Sequence, residues 1–269
     1  MKPIPWRELP GPVRVASGGL TLSLRQFGRG PRTVMIHGGP GLDHHFMLPL
    51  AMELRDDFEL LLPDLPGHGG SQTTPYRAPG LHQLVTQLDS WLEHVPGGFD
   101  FVVAHSFGAW LVRHLLRQRK IDPRAVVLIT PPAASAPQGT AVRFIASLDH
   151  AGTRDDVRSH LENECGAPLG AEEELLLDHA LLRSPGAYRA LLRNLHRHLA
   201  GPVRHFDPRR PVLVIAGSED RTTPAPQATI VANSMKGARL EVVEGAGHYV
   251  LIDRAAECAE LIRRFLAEV

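Results

Sequence analysis

Two runs of unlike period meet at a single serine. Residues 99–103 are largely apolar, residues 109–119 form an amphipathic run, and Ala104-His105-Ser106-Phe107-Gly108 joins them. A strand that passes into a helix within so few residues forces the serine at the turn to a positive φ. Bulky side chains two positions to either side would clash there. Ala104 and Gly108 hold those flanking positions. The segment therefore reads as a nucleophile elbow, a turn that lifts a serine hydroxyl to the end of a sheet. The usual pattern has glycine where Ala104 stands, and alanine is small enough to replace it. Small-x-Ser-x-Gly turns also occur where a strand merely enters a helix, so the reading depends on what else the chain carries.

Three further segments supply the rest of an acyl-transfer constellation, in chain order. Thr33-Val34-Met35-Ile36 is a β-branched-rich strand that runs into His37-Gly38-Gly39-Pro40-Gly41. Acyl transfer needs two hydrogen-bond donors aimed at the developing oxyanion. One is the backbone N–H of the residue after the nucleophile, Phe107, and the other falls to this loop at Gly39. Residues 211–216 form a short apolar strand that ends in Gly217-Ser218-Glu219-Asp220. An acid there can orient a histidine and stabilise its imidazolium form. Asp220 takes that role in this reading, with Glu219 as the alternative. The strand 239–244 leads to Gly245-Ala246-Gly247-His248-Tyr249. From that small-residue loop His248 can reach Ser106 as general base and then general acid. A plain turn, a solvated acidic pair and a structural histidine are the bland readings of the three segments. The order Ser, Asp, His argues against them.

With Pro63-Asp64-Leu65-Pro66-Gly67-His68-Gly69-Gly70-Ser71 added, the chain resembles the α/β-hydrolase-fold superfamily across nearly its whole length. The resemblance implies an α/β fold with a mostly parallel, doubly wound sheet and an inserted helical cap. In that superfamily the Asp-x-Pro-Gly-His-Gly segment shapes the turn after the fourth strand, and Asp64 and His68 are read as structural. The run from His37 to Gly41, followed by Leu42-Asp43-His44, resembles the oxyanion loop of the proline iminopeptidase family. That family's elbow usually reads Gly-Gly-Ser-Trp-Gly, whereas here it is Ala-His-Ser-Phe-Gly. Its cap acids bind the substrate's free ammonium, a role open to Glu162, Glu164 or Glu172-Glu173-Glu174. Otherwise Glu162 and Glu164 read as solvated charges, and the triple glutamate as an acidic helix start. His44 and His45 either line the pocket or begin a helix.

The rest of the chain alternates. Residues 13–16 and 20–27 bracket Gly18-Gly19 as a hairpin. Strands follow at 33–36, 58–63, 99–103 and 125–130, with an amphipathic helix at 81–95. Alternation of strand and helix predicts a parallel sheet whose ligands bind at the C-terminal strand ends. It breaks after Thr130. Helical patterns at 141–148, from Thr153, at 172–183 and at 184–199 precede the next strand, too much chain for a normal crossover. The division expected is a core of residues 1–132 and 207–269 with a cap at 133–206, which sets substrate choice and excludes water.

Composition removes several function classes. Twenty-nine basic residues balance 29 acidic ones, so no field draws nucleic acid or an anionic membrane. No run reaches the ~20 apolar residues of a membrane span. Residues 1–19 hold four prolines and lack the apolar stretch of a signal peptide. The two cysteines, Cys165 and Cys258, lack an elbow context, and two thiols suit a reducing compartment. The expectation is a soluble, cytoplasmic protein, monomer or homodimer, acting on a small molecule. No metal or cofactor is expected. His196 and His198, two apart on a helix, point to different faces.

Four readings of the chemistry remain. The first is hydrolysis of a carboxylic ester, lactone or thioester through an acyl-enzyme. The second is proline iminopeptidase-like aminopeptidase action. The third is carbon–carbon bond hydrolysis. The last is a non-hydrolytic lyase or ligand-binding member of the fold.

Overall fold

The computed structural model describes residues 9–17, 20–39, 42–71, 80–133, 154–165, 168, 170, 176–177 and 203–269. Eight strands form one sheet: β1 (Val13–Ser17), β2 (Leu20–Gly28), β3 (Arg32–Ile36), β4 (Glu59–Pro63), β5 (Phe101–His105), β6 (Ala125–Ile129), β7 (Val212–Gly217) and β8 (Arg239–Val243). Their spatial order is β1-β2-β4-β3-β5-β6-β7-β8. β1 pairs antiparallel with β2, and β2 antiparallel with β4, so the expected hairpin forms one edge. Every pairing from β4 through β8 is parallel. The fold is the mostly parallel, doubly wound α/β sheet read from the sequence.

The winding follows from period-two burial. Val34, Ile36, Val102, Ala104, Val126, Leu128, Val214 and Ala216 lie in one apolar cluster with α2 (Leu81–Glu93), α3 (Ser106–Arg117) and α5 (Ala225–Asn233). Met35, Phe101, Val103, Val127, Ile129 and Ile215 lie in another, with α1 (Leu48–Leu54), α6 (Val250–Asp253) and α7 (Ala255–Leu266). Successive side chains of a strand point to opposite faces. A central strand covered on both sides is therefore buried throughout, as β5 and β6 are, with His105 at the end of β5 the one polar side chain.

β3 has β4 on one side and β5 on the other. The chain thus reverses its direction of travel across the sheet at β3. Such a switch point opens a crevice at the C-terminal strand ends. The loop after β3 and the elbow after β5 meet there.

Some expectations shift. The strand read as 99–103 runs from Phe101 to His105, because the helix begins at Ser106 itself. The helix read as 81–95 ends at Glu93. Between β6 and β7, α4 (Arg154–Glu164) occupies the position read as a helix starting from Thr153. Leu161, Cys165, Leu176 and Leu177 are buried in the same cluster as Phe46 and Tyr249. The other helices expected at 141–148, 172–183 and 184–199 lie essentially outside the described residues, as do Glu172-Glu173-Glu174, His196 and His198. No helix among the described residues is long and apolar enough to cross a membrane.

Candidate active site

Ser106 is the first residue of α3 and sits at φ 47°. A non-glycine residue in this region is strained, and the strain persists only where its surroundings enforce it. Those surroundings are visible at Gly108. A Cβ there would lie 2.5 Å from the His37 carbonyl oxygen and 2.8 Å from that of Ile36. Only glycine lets the first turn of α3 press against the end of β3. Ala104, fully buried in β5, meets the same demand on the other side of the turn. Thr130, at the end of β6, is a second non-glycine residue at positive φ (44°) beside the site.

Ser106, His248 and Asp220 come together from three separate strand ends. His248 Nε2 is 3.0 Å from Ser106 Oγ. Its Nδ1 is 2.9 Å from Asp220 Oδ2. Asp220 Oδ1 accepts the backbone N–H groups of Thr222 (2.8 Å) and Thr223 (2.7 Å), and Oδ2 accepts the Thr223 hydroxyl at 2.7 Å. Asp220 is therefore fixed from two directions. Glu219, the alternative acid, is not part of this contact set; its backbone N–H donates to the Ala246 carbonyl.

The electrostatics follow from this arrangement. Burial alone would raise the Asp220 carboxyl, but the facing His248 and the Thr223 donors hold it at about 2. Burial alone would lower His248. The charge and hydrogen bond of Asp220, with Glu164 behind them, outweigh burial and leave His248 above its ordinary 6.5. His105, with its ring centroid 5.1 Å from that of His248, goes the other way. Burial and the His248 charge push it down to about 3. Neutral His105 donates from Nε2 to the His248 carbonyl at 3.1 Å.

The oxyanion candidates flank the serine. Phe107 lies in the first turn of α3, where backbone N–H groups have no intrahelical acceptor. Gly39 follows β3 at φ 124°, a conformation side chains other than hydrogen rarely adopt. Its neighbour Gly38 approaches the elbow so closely that a Cβ would stand 3.3 Å from the Ser106 Cβ.

Several residues at this site escaped sequence reading. His37 is fully buried: Nδ1–H donates to the Gly38 carbonyl (2.7 Å), and Nε2 accepts the Leu65 N–H (3.0 Å). It ties the glycine loop to the turn after β4. Thr222 and Thr223 carry a signal that could have been read, since an aspartate often takes the N–H groups two and three residues on. Glu164 overturns its reading as a solvated charge. It is 1% exposed, its carbonyl accepts the His248 N–H at 2.7 Å, and its carboxylate accepts the Thr222 hydroxyl. Nothing local distinguishes Glu164 from half-buried Glu162.

Asp43, His44 and His45 stand at a helix start, one of the two roles read for the histidines. Asp43 caps the 3-10 turn His44–Met47, accepting the His45 N–H. These three residues offer potential metal-ligand atoms within 4.8 Å of one another. Both ring nitrogens of His44 are engaged, Nδ1 with Asp64 and Nε2 with Arg25. The guanidinium also disfavours a second cation so near. Asp64 accepts the N–H groups of His44 and Gly70, the structural part read for it. Cys165 and Cys258 are both buried.

A family model described as "Alpha/beta hydrolase family" matches residues 33–261. The chain belongs to the alpha/beta hydrolase family. Among curated members, it is 30% identical to the pimeloyl-[acyl-carrier protein] methyl ester esterase of Stenotrophomonas maltophilia (strain R551-3), over 89% of this chain and 94% of the relative. It is 26% identical to the poly(3-hydroxyalkanoate) depolymerase of Ectopseudomonas oleovorans, over 87% of this chain and 84% of that protein. The solved structure of 2-hydroxy-6-oxo-6-phenylhexa-2,4-dienoate hydrolase from a Rhodococcus superposes with a TM-score of 0.79 at 19% identity, over 97% of this chain and 99% of that one. That last likeness speaks to the fold alone.

Proposed function

We propose that this alpha/beta hydrolase is a serine esterase acting on a small carboxylic ester, lactone or thioester. The supporting observation is the continuous contact from Ser106 Oγ through both ring nitrogens of His248 to Asp220, built on an elbow with φ 47°. A carboxylate paired on the far nitrogen fixes the tautomer that leaves Nε2 free to accept the serine proton. The methyl ester esterase among the relatives agrees with ester chemistry.

In this reading Ser106 Oγ attacks the carbonyl carbon while its proton passes to His248 Nε2. Asp220 stabilises the imidazolium so formed. The N–H groups of Gly39 and Phe107 receive the oxyanion. Collapse expels the alcohol or thiol, which takes the proton from His248. Water then repeats the sequence on the acyl-enzyme and frees the acid. The segment 133–206 is proposed to cap this site and shape the acyl pocket.

The test is a turnover panel that pairs short-acyl p-nitrophenyl esters with prolyl and alanyl anilides, using wild type and Ser106→Ala. Serine-dependent ester cleavage with inert anilides is expected. Serine-dependent anilide cleavage would replace the esterase with an aminopeptidase. Ester cleavage that survives Ser106→Ala would remove the nucleophile assignment.

A further inference from the structure

The carboxylate of Glu164 has no part in the chemistry above, yet it is one of the most deeply buried charges near the site. It ends α4, on the long connection between β6 and β7. Three contacts tie it to the loops that carry the acid and the base. Its carbonyl takes the His248 N–H. A Cβ on Gly247 would lie 1.9 Å from that carbonyl oxygen, so the helix end and the histidine loop meet with no room between them. Its Oε2 takes the Thr222 hydroxyl, and the Thr222 N–H in turn donates to Asp220 Oδ1. Its Oε1 is buried without a hydrogen-bond partner among the described residues. A buried polar atom left unsatisfied is costly, and it persists where the surrounding structure holds it in place.

We propose that Glu164 is a positioning residue for His248 and Asp220, so that seating α4 completes the acid–base pair. The proposal rests on the esterase reading of Ser106. It makes the end of α4 part of the catalytic scaffold. Glu164 acts in two ways: through Thr222 it sets the loop that orients Asp220, and its charge favours the imidazolium. The groups facing His248 are Asp220, Glu164, His105 and Tyr249. Of these, Glu164 alone comes from α4.

The experiment follows fluorophosphonate labelling of Ser106 across pH, with peptide mapping, in wild type, Glu164→Gln, Thr222→Val and Thr222→Ser. The serine oxygen displaces fluoride at phosphorus and its proton passes to His248, so the labelling rate reports the acid–base pair directly. Glu164→Gln keeps the shape and removes the charge. Its acidic limb should move to lower pH by roughly half a unit, because the imidazolium loses a stabilising neighbour. Thr222→Val should slow labelling about 10-fold through misorientation, and Thr222→Ser should restore it. If both Glu164→Gln and Thr222→Val keep the wild-type rate and limb, Glu164 is only a packing residue and the proposal fails. Should Glu164→Gln not fold, the Thr222 pair still decides, since hydroxyl-dependent labelling supports the link and hydroxyl-independent labelling overturns it. Absence of label at Ser106 in wild type would instead strike the esterase reading itself.

Discussion

Among the described residues, two buried histidine–carboxylate pairs stand out, and of the two only one faces a nucleophile. His248 lies 2.9 Å from Asp220, and His44 lies 2.7 Å from Asp64. All four side chains are at most 4% exposed. In both, Nδ1 faces the acid and several backbone N–H groups steady the carboxylate. The difference lies at the far nitrogen. His248 Nε2 faces the Ser106 hydroxyl at 3.0 Å. His44 Nε2 faces the Arg25 Nε–H at 3.1 Å. A guanidinium N–H can only donate, so it occupies the lone pair that a general base would need. A histidine–aspartate pair is thus not a catalytic signature by itself. The partner of the second nitrogen decides between chemistry and scaffolding.

The sharpest break between the pairs should come from the nucleophile. Ser106→Ala should lower kcat for a p-nitrophenyl ester by about 10⁴-fold or more, with an unchanged circular dichroism spectrum. Asp220→Asn should cost nearly as much, about 10³- to 10⁴-fold, by releasing the tautomer that frees His248 Nε2. Asp64→Ala should reverse the pattern. It breaks a buried pair and should cost about 3 kcal/mol in urea unfolding, while kcat of the folded fraction stays within roughly tenfold. If Asp64→Ala instead kept full stability and lost turnover, the functional distinction between the two pairs would collapse.

The pH dependence separates them further. His248 must be neutral to act as base, and Asp220 and Glu164 raise its pKa against burial. The acidic limb of kcat/KM should therefore lie above pH 6.5, with activity rising through the folded-state pKa. Stability runs the opposite way for this group. A raised histidine stabilises the fold below 6.5, and that contribution is lost as pH rises through the folded value. Asp220, held at about 2 against an ordinary 3.8, contributes about 2 kcal/mol above pH ~4 and loses it as pH falls through about 2. A limb below 6.5 would mean that burial outweighs the acids. The smallest effect belongs to His105→Phe. It removes one donor to the His248 carbonyl and should cost about 1 kcal/mol, with Thr130 Oγ1 still bonded there at 3.3 Å.

Local signals carry most of what the sequence shows. The elbow, both glycine-rich turns and the parallel strands each rest on residues adjacent in the chain, where apolar runs and small residues leave few conformations open. The hairpin at the sheet edge is of the same kind. α5 has no clear signal in the sequence, and α1 has only the helix start offered at His44 and His45. Both helices are short, and α1 follows a loop whose capping residue, Asp43, is also tied up with His45. Glu164 was misread because its burial depends on loops more than 50 residues away.

The order of Ser106, Asp220 and His248, and the small residues that let each sit at a strand end, are determined by the sequence alone. They are local steric requirements, and a one-dimensional pattern records them. Only the tertiary structure decided how closely His248 meets the serine and the acid, that Arg25 occupies the free nitrogen of His44, and that Glu164 closes behind Asp220. Those outcomes depend on distances between side chains far apart in the chain. Such distances are set by sheet order and packing, and spacing along the sequence does not contain them.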